Sequence, residues 1–252
     1  MTAAPDPTTT LQFSLRCDHC TVRHKALCGA LSRDELADLN RIARTRRFVA
    51  GESIMSAGED SGFLANIVGG VVKLTKIMAD GRQQIVGLQF APDFLGRAFR
   101  KNAAYHAEAA TDVELCLFPR TPFESLLRAK PDMEQRLLEE TLDELDSARE
   151  WMLLLGRKTA QEKVASFLCM IARRSPQAGC HHESAPVEPH YMLPLSRTDI
   201  ADYLGLTIET VSRQISKLKS QGIIRLHGIR EFSVRDLAEL TEIANIDADE
   251  QA

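Results

Sequence analysis

Residues 193–234 read LPLSRTDIADYLGLTIETVSRQISKLKSQGIIRLHGIREFSV, and their punctuation decides the architecture of the C-terminal third of the chain. Ser196 with Asp199 three residues later marks the start of a first helix. Gly205 supplies a tight turn, and Thr207 is placed to cap a second helix running to about Ser220. Two short helices joined by a turn containing Gly make a helix-turn-helix. The following GIIRLHGIREFSV reads as a hairpin turning at His227-Gly228, a wing after the second helix.

The second helix sorts its residues by face. Ile208, Val211, Ile215 and Leu218 recur at helical spacing and are expected in the core. Glu209, Ser212, Arg213 and Ser216 occupy the opposite side, with Lys217 beside them. Such side chains suit base edges in a major groove: Arg fits guanine O6 and N7 bidentately, Glu accepts from the amine of cytosine, and Ser adapts. From 208 to 230, Arg213, Lys217, Lys219, Arg225 and Arg230 stand against Glu209 alone, a local charge of +4 in a chain whose net charge is −4. A solvated helix face carries a similar pattern, but helix-turn-helix, wing and basic edge together favour double-stranded DNA as a partner.

Upstream, residues 160–174 form another apolar-faced helix, with Val164, Phe167, Leu168 and Ile171, and SPQAGCHHESAPVEPH after it reads as a loop in which Cys180 is solvated. Before it, DMEQRLLEETLDELDSAREWMLLLGRK is an uninterrupted helical stretch. Leu138, Thr141, Leu145, Ala148, Met152 and Leu155 alternate at spacings of 3 and 4, a heptad seam that predicts pairing with a second copy of the chain. Leu142 and Leu153 lie off the seam, where they could face the chain's own β-domain. Two recognition helices carried by such a dimer would read an inverted repeat.

From about Phe48 to Phe118 the pattern changes to short segments rich in Val, Ile and Phe, broken by glycines, which predicts a small antiparallel β-domain. Asp80-Gly81 in MADGRQQ marks a hairpin tip. LSRDELADLNRIA, residues 31–43, carries a Ser32/Glu35 cap signal and reads as a short helix, while residues 1–16 read as a mobile arm. The tail after Ile243 is acidic and expected to fray.

At 252 residues, 44% hydrophobic and 26% charged, the chain has the balance of a soluble protein of two domains. Its start lacks the pattern of a signal peptide, and no apolar segment is long enough to cross a bilayer, so a cytoplasmic location is expected. In that compartment CDHCTVRHKALC, residues 17–28, is more apt for a metal or redox chemistry than for a disulfide. Cys116 in VELCLFP is a fourth thiol; alternation puts Val113, Leu115 and Leu117 on one side of its strand and Cys116 on the other, away from the core. Cys169 sits on an apolar helix face and reads as core. A C-x2-C outside a strand-to-helix junction argues against a thiol or electron-transfer protein.

A β-roll, a long dimer helix and a C-terminal winged helix-turn-helix, in that order, resemble the CRP/FNR superfamily of bacterial transcription regulators along nearly the whole chain. LGLTIETVSR is similar to the recognition helix of the FNR branch, with the E-x-x-S-R core at Glu209, Ser212 and Arg213. The resemblance implies an α+β fold: a cysteine-rich cluster-binding arm over 1–30, an antiparallel β-roll of the double-stranded β-helix or cupin-like kind over 31–128, a dimerisation helix over 129–158 and a winged helix-turn-helix over 159–252. It implies a homodimer, no enzyme activity, a TTGAT inverted repeat read with Arg213 on the guanine, and RNA polymerase as a partner at the loop from Asp80 to Gln83. It also implies an oxygen-labile 4Fe-4S cluster held by Cys17, Cys20, Cys28 and Cys116, with the C-x2-C-x7-C spacing similar to that of α-proteobacterial members. Anaerobic gene expression, activated or repressed, would be its output, and loss of the cluster to oxygen would release the DNA. No cyclic nucleotide is expected, because Arg97 in APDFLGRAF stands where an acid belongs and AAYHAEA has no Arg-Ser pair. Zinc competes for the same four thiolates and would make a constitutive regulator, and spacing does not separate the two.

Overall fold

The computed structural model describes residues 17, 20–174 and 189–246. The arm before Cys17, the loop that holds Cys180 and the acidic tail from residue 247 onwards lie outside the described residues. The chain divides into two compact units, one comprising the residues up to Lys76 with Val86–Asp146, the other Ile77–Ile85 with the residues from Ser147.

In the first unit a single 3-10 turn, Leu27–Ala30, leads into helix α1, Arg33–Ile42. Ser32 caps α1 in a complete capping box: its hydroxyl accepts from the Glu35 N–H, and the Glu35 carboxylate accepts from the Ser32 N–H. Eight strands follow: β1 (Arg44–Phe48), β2 (Ser53–Met55), β3 (Phe63–Gly69), β4 (Val71–Ile77), β5 (Gln83–Phe90), β6 (Phe94–Leu95), β7 (His106–Ala109) and β8 (Val113–Pro119). They form two four-stranded antiparallel sheets, ordered β1-β8-β3-β6 and β2-β7-β4-β5. Inward side chains of both sheets share one core, including Phe48, Ile67, Val72, Leu74, Ala107 and Leu115. The β3–β4 turn needs its glycine: Gly70 has φ +85, and a Cβ there would collide with the Asp112 carbonyl.

Helix α2, Arg120–Ala129, follows β8 directly and departs from the sequence pattern, which marks no helix there. With no loop to announce it, its signal is only Pro122 in the first turn followed by Phe123, Leu126 and Leu127. It packs with α1 over a second core of Leu27, Leu39, Leu64, Phe118, Phe123, Leu127 and Met133, on the outer face of β3 and β8.

Helix α3, Pro131–Arg157, carries the seam. Leu138 (58%), Leu145 (45%) and Met152 (71%) are exposed, as are Thr141 and Ala148, whereas Leu155 is half-buried. Leu142 and Leu153 are also exposed, which corrects the expectation that they pack on the chain's own β-domain. Leu154, one residue further round the helix, takes the buried position instead, and Trp151 stacks on Tyr203 with centroids 3.8 Å apart. The apolar stripe of α3 is therefore wider than the heptad seam.

The second unit contains α4 (Ala160–Arg174), β9 (His190–Met192), α5 (Arg197–Leu204), α6 (Ile208–Ser220), β10 (Ile224–Leu226), β11 (Glu231–Val234) and α7 (Leu237–Ile243). Ser196 and Asp199 close a second capping box at the start of α5, and Gly205 ends it in the left-handed conformation, φ 61. Strand β9 adds to the β10–β11 wing to make a three-stranded sheet, ordered β10-β11-β9. The sequence pattern signals neither β9 nor α7, and the loop it predicts up to His190 ends in β9 instead. Cys169 is buried in α4, 1% exposed. No helix among the described residues is long and apolar enough to cross a membrane.

Candidate functional site

Two constellations carry chemistry. The first is a cavity in the first unit lined by Cys17, Cys20, Cys28 and Cys116 together with Val22, Arg23, Leu39, Ala43, Asn66, Val68 and Phe118. Three of the thiols come from the N-terminal segment, Cys28 from its 3-10 turn. The fourth comes from the middle of β8, where Cys116 lies opposite Thr45 of β1 and Asn66 of β3. Val113 and Leu115 of the same strand face the sheet-to-sheet core, while Cys116 and Phe118 face outward onto the second core. Alternation thus delivers a strand thiol to the arm.

All four cysteines are half-buried. Burial, then the neighbouring Cys20 and Cys17, push the Cys28 thiol up to about 12. Its S–H donates to the Arg23 carbonyl at 3.8 Å, and Asn66 Nδ2 donates to the sulfur at 3.9 Å. A buried thiol of this kind gives up its proton to a metal rather than to water. Among the described residues no three His, Cys, Asp or Glu side chains are gathered around a single-ion site.

The second constellation is the outer face of α6. Thr207 caps the helix, accepting from the Thr210 N–H. Glu209, Ser212, Arg213, Ser216 and Lys217 are all exposed along one side, and Val211, Ile215 and Leu218 are buried on the other. Ile208 departs from the expected core set: it is 42% exposed, because the first turn of α6 projects past the packed residues. The Glu209 carboxyl is held below the usual carboxylate range by its own backbone N–H and then by the Thr207 hydroxyl, so it is a charged acceptor near neutral pH. Lys217 Nζ donates to Gln161 Oε1 of α4 at 2.7 Å, which fixes its head at the base of the helix. Arg225 and Arg230 are exposed at the wing.

The comparisons match both units of the fold. A family model described as a Crp-like helix-turn-helix domain matches residues 162–243, and one described as a cyclic nucleotide-binding domain matches residues 45–130. The chain is 49% identical to the transcriptional activator protein FnrL of Cereibacter sphaeroides over 93% of its own length and 94% of that protein's. It is 38% identical to the nitrogen fixation regulation protein FixK of Bradyrhizobium diazoefficiens over 90% of its length and 93% of that protein's. The solved structure of FixK2 from Bradyrhizobium japonicum superposes with a TM-score of 0.73 at 35% identity, covering 82% of this chain and 100% of that one.

The chain belongs to the CRP/FNR family.

Within that family it stands in the FNR-like α-proteobacterial branch, as a transcription regulator of the FNR/FixK type with a helix-turn-helix DNA-binding domain, and not as an enzyme. As a CRP/FNR chain it has two side chains at its cysteine cavity that sequence reasoning missed, Arg23 and Asn66. Arg23 had a signal, a cation inside the cysteine stretch. Asn66 had one too, a lone amide in the apolar run FLANIV.

Proposed function

We propose that this CRP/FNR regulator is an oxygen-responsive homodimer that reads an FNR-type TTGAT inverted repeat through α6. The observation that carries the reading is the convergence of Cys17, Cys20, Cys28 and Cys116 on one cavity of the same chain that carries the exposed reading face of α6.

The donor set suits a 4Fe-4S cluster. Four thiolates are the ligands such a cluster takes. Arg23 supplies a cation beside a cluster that is a net dianion with its four thiolates, and Asn66 supplies an N–H toward a ligand sulfur. A single zinc ion draws four thiolates to about 3.8 Å of one another, from Zn–S bonds of ~2.3 Å. A cluster of four irons takes the same four thiolates at wider spacing, so metal analysis separates the two. When bound, the cluster supplies an oxygen-labile link between the N-terminal segment and β8.

Other residues do the rest. Leu138, Thr141, Leu145, Ala148, Met152 and Leu155 of α3 pair with their counterparts in a second copy, and the exposed Leu142 and Leu153 widen that surface. Pairing lets two α6 helices engage two half-sites at once, so a modest change in dimer population alters operator occupancy strongly. Glu209, Ser212, Arg213, Ser216 and Lys217 contact DNA, with Arg213 on the guanine. The β4–β5 loop from Asp80 to Gln83 meets RNA polymerase. The β-roll serves as scaffold without a cyclic nucleotide, because Arg97 and the 103–109 segment offer no phosphate clamp. The regulator acts in the cytoplasm on genes of anaerobic growth.

Anaerobic purification followed by iron, sulfide and zinc analysis tests the reading. A brown protein with about four irons and four sulfides per chain, bleached on exposure to air, supports it. A colourless protein holding stoichiometric zinc after anaerobic reconstitution overturns it.

A further inference from the structure

Asn66 is out of place as a structural residue. It sits in the middle of β3, where Ala65 and Ile67 point into the core between the sheets and Leu64 points into the outer core. Both faces of the strand are buried there, a setting that calls for an apolar side chain throughout. The amide is only 3% exposed, and its Oδ1 has no hydrogen-bond partner among the described residues. Burying an amide oxygen without a partner costs stability, and such groups call for an explanation beyond packing.

The other end of the same side chain supplies one. Asn66 Nδ2 donates to Cys28 Sγ at 3.9 Å, and Asn66 lies directly opposite Cys116 in the β3–β8 register. One amide therefore touches the arm thiol while flanking the strand thiol. Besides Arg23, it is the one side chain with an N–H among the described residues that line the cavity. In the free thiol state Cys28 donates its proton to the Arg23 carbonyl and accepts only weakly from the amide. Once Cys28 is a thiolate ligand it has no proton to donate and becomes acceptor-only. The N–H to sulfur bond is then charge-assisted and shorter.

We infer that Asn66 is a positioning residue for the cluster: its side-chain N–H holds the Cys28 thiolate and sets how long the cluster survives in oxygen. The inference rests on the cluster reading above. Hydrogen bonds to ligand sulfurs draw electron density from the iron–sulfur bonds and make the centre harder to oxidise, the usual role of outer partners at such sites. Stability given up at Asn66 in the empty protein is returned as persistence of the filled one.

Two variants test this beside the wild type. Asn66→Leu keeps the branching and heavy-atom count, though it is bulkier, and removes both polar atoms; Asn66→Asp keeps the shape and removes the N–H. Each is reconstituted anaerobically, analysed for iron and sulfide, and followed by absorption on mixing with air-saturated buffer. Both variants are expected to take up the cluster and bleach faster than wild type, by roughly ten-fold, the low end of what outer-partner loss costs. The iron–thiolate stretching band in the Raman spectrum should rise in frequency. Unloaded Asn66→Leu should melt at or above the wild-type temperature, the opposite of what a structural role predicts. Bleaching rates and stretching bands indistinguishable from wild type would overturn the inference, as would a lower melting temperature for unloaded Asn66→Leu. If wild-type protein takes up no iron and sulfide, the cluster reading itself fails and this inference falls with it; a brown wild type with unchanged variants sinks the inference alone.

Discussion

Individual side chains define the two candidate sites of this molecule. Cys116 and Cys169 are both cysteines in apolar surroundings, yet only Cys116 lines the cavity with the N-terminal thiols, while Cys169 is buried in α4 with its Sγ 3.8 Å from Thr241 Oγ1. Cys116→Ala should abolish iron and sulfide uptake and leave DNA-independent folding intact by circular dichroism. Cys169→Ala should load normally and lower stability by ~1 kcal/mol in urea, the cost of a small buried group and a weak hydrogen bond. Equal iron loss in both would mean that the strand thiol has no special part. On α6, Arg213→Ala should cost ~1–3 kcal/mol per half-site and relax preference at the guanine. Competition with single-base operator variants measures it: equal weakening on every sequence would make Arg213 a phosphate contact only.

Helices and strands place those side chains, and their ends are where local sequence speaks most clearly. The Ser32 and Ser196 capping boxes both form because an oxygen acceptor and an acid three residues on satisfy N–H groups that a helix leaves open. At the first of these, Glu35 also meets Lys130 Nζ at 3.0 Å. The Ser32 backbone N–H, the Lys130 ammonium and the Ser32 hydroxyl lower the Glu35 carboxyl from 4.5 to about 2. A carboxyl depressed in the folded state contributes stability that is complete above about pH 4.5 and is lost as pH falls toward 2. Glu35→Gln should therefore flatten the acid limb of the unfolding curve between those values; an unchanged limb would mean that the contact is open in solution. On α3, Leu145→Glu changes an exposed position and should alter monomer stability by less than ~0.5 kcal/mol. Sedimentation should nevertheless show it shifted to monomer under conditions where wild type is a dimer.

A dimer with two reading heads gains its affinity from simultaneous engagement, so operator binding should fall far more for a single half-site than the loss of one set of contacts explains. Binding should also weaken steeply with salt, and removing Lys219 or Arg230 should each reduce the slope of log affinity against log salt by about one. Unchanged slopes would place these cations away from phosphates. Sequence and fold part company along the same line that separates local from distant contacts. The helix-turn-helix, the wing, the cap of α1 and the long helix were legible because capping, glycine conformation and a 3.6-residue period act within a few residues. Helix α2, β9 and α7 were not, since each takes its definition from the surface it covers. Exposure of Ile208, Leu142 and Leu153 escaped for a related reason: periodicity states that a face is apolar, not what lies against it. The N-terminal thiols were plain as three cysteines in twelve residues, and the helix-turn-helix pattern with its local positive charge pointed to the C-terminal segment as the DNA-binding part. Only the tertiary structure brings Cys116 and Asn66 to those thiols. That convergence depends on the pairing of β8 with β3 and on the packing of α1 and α2 over their outer face, contacts between residues tens of positions apart that no local pattern encodes.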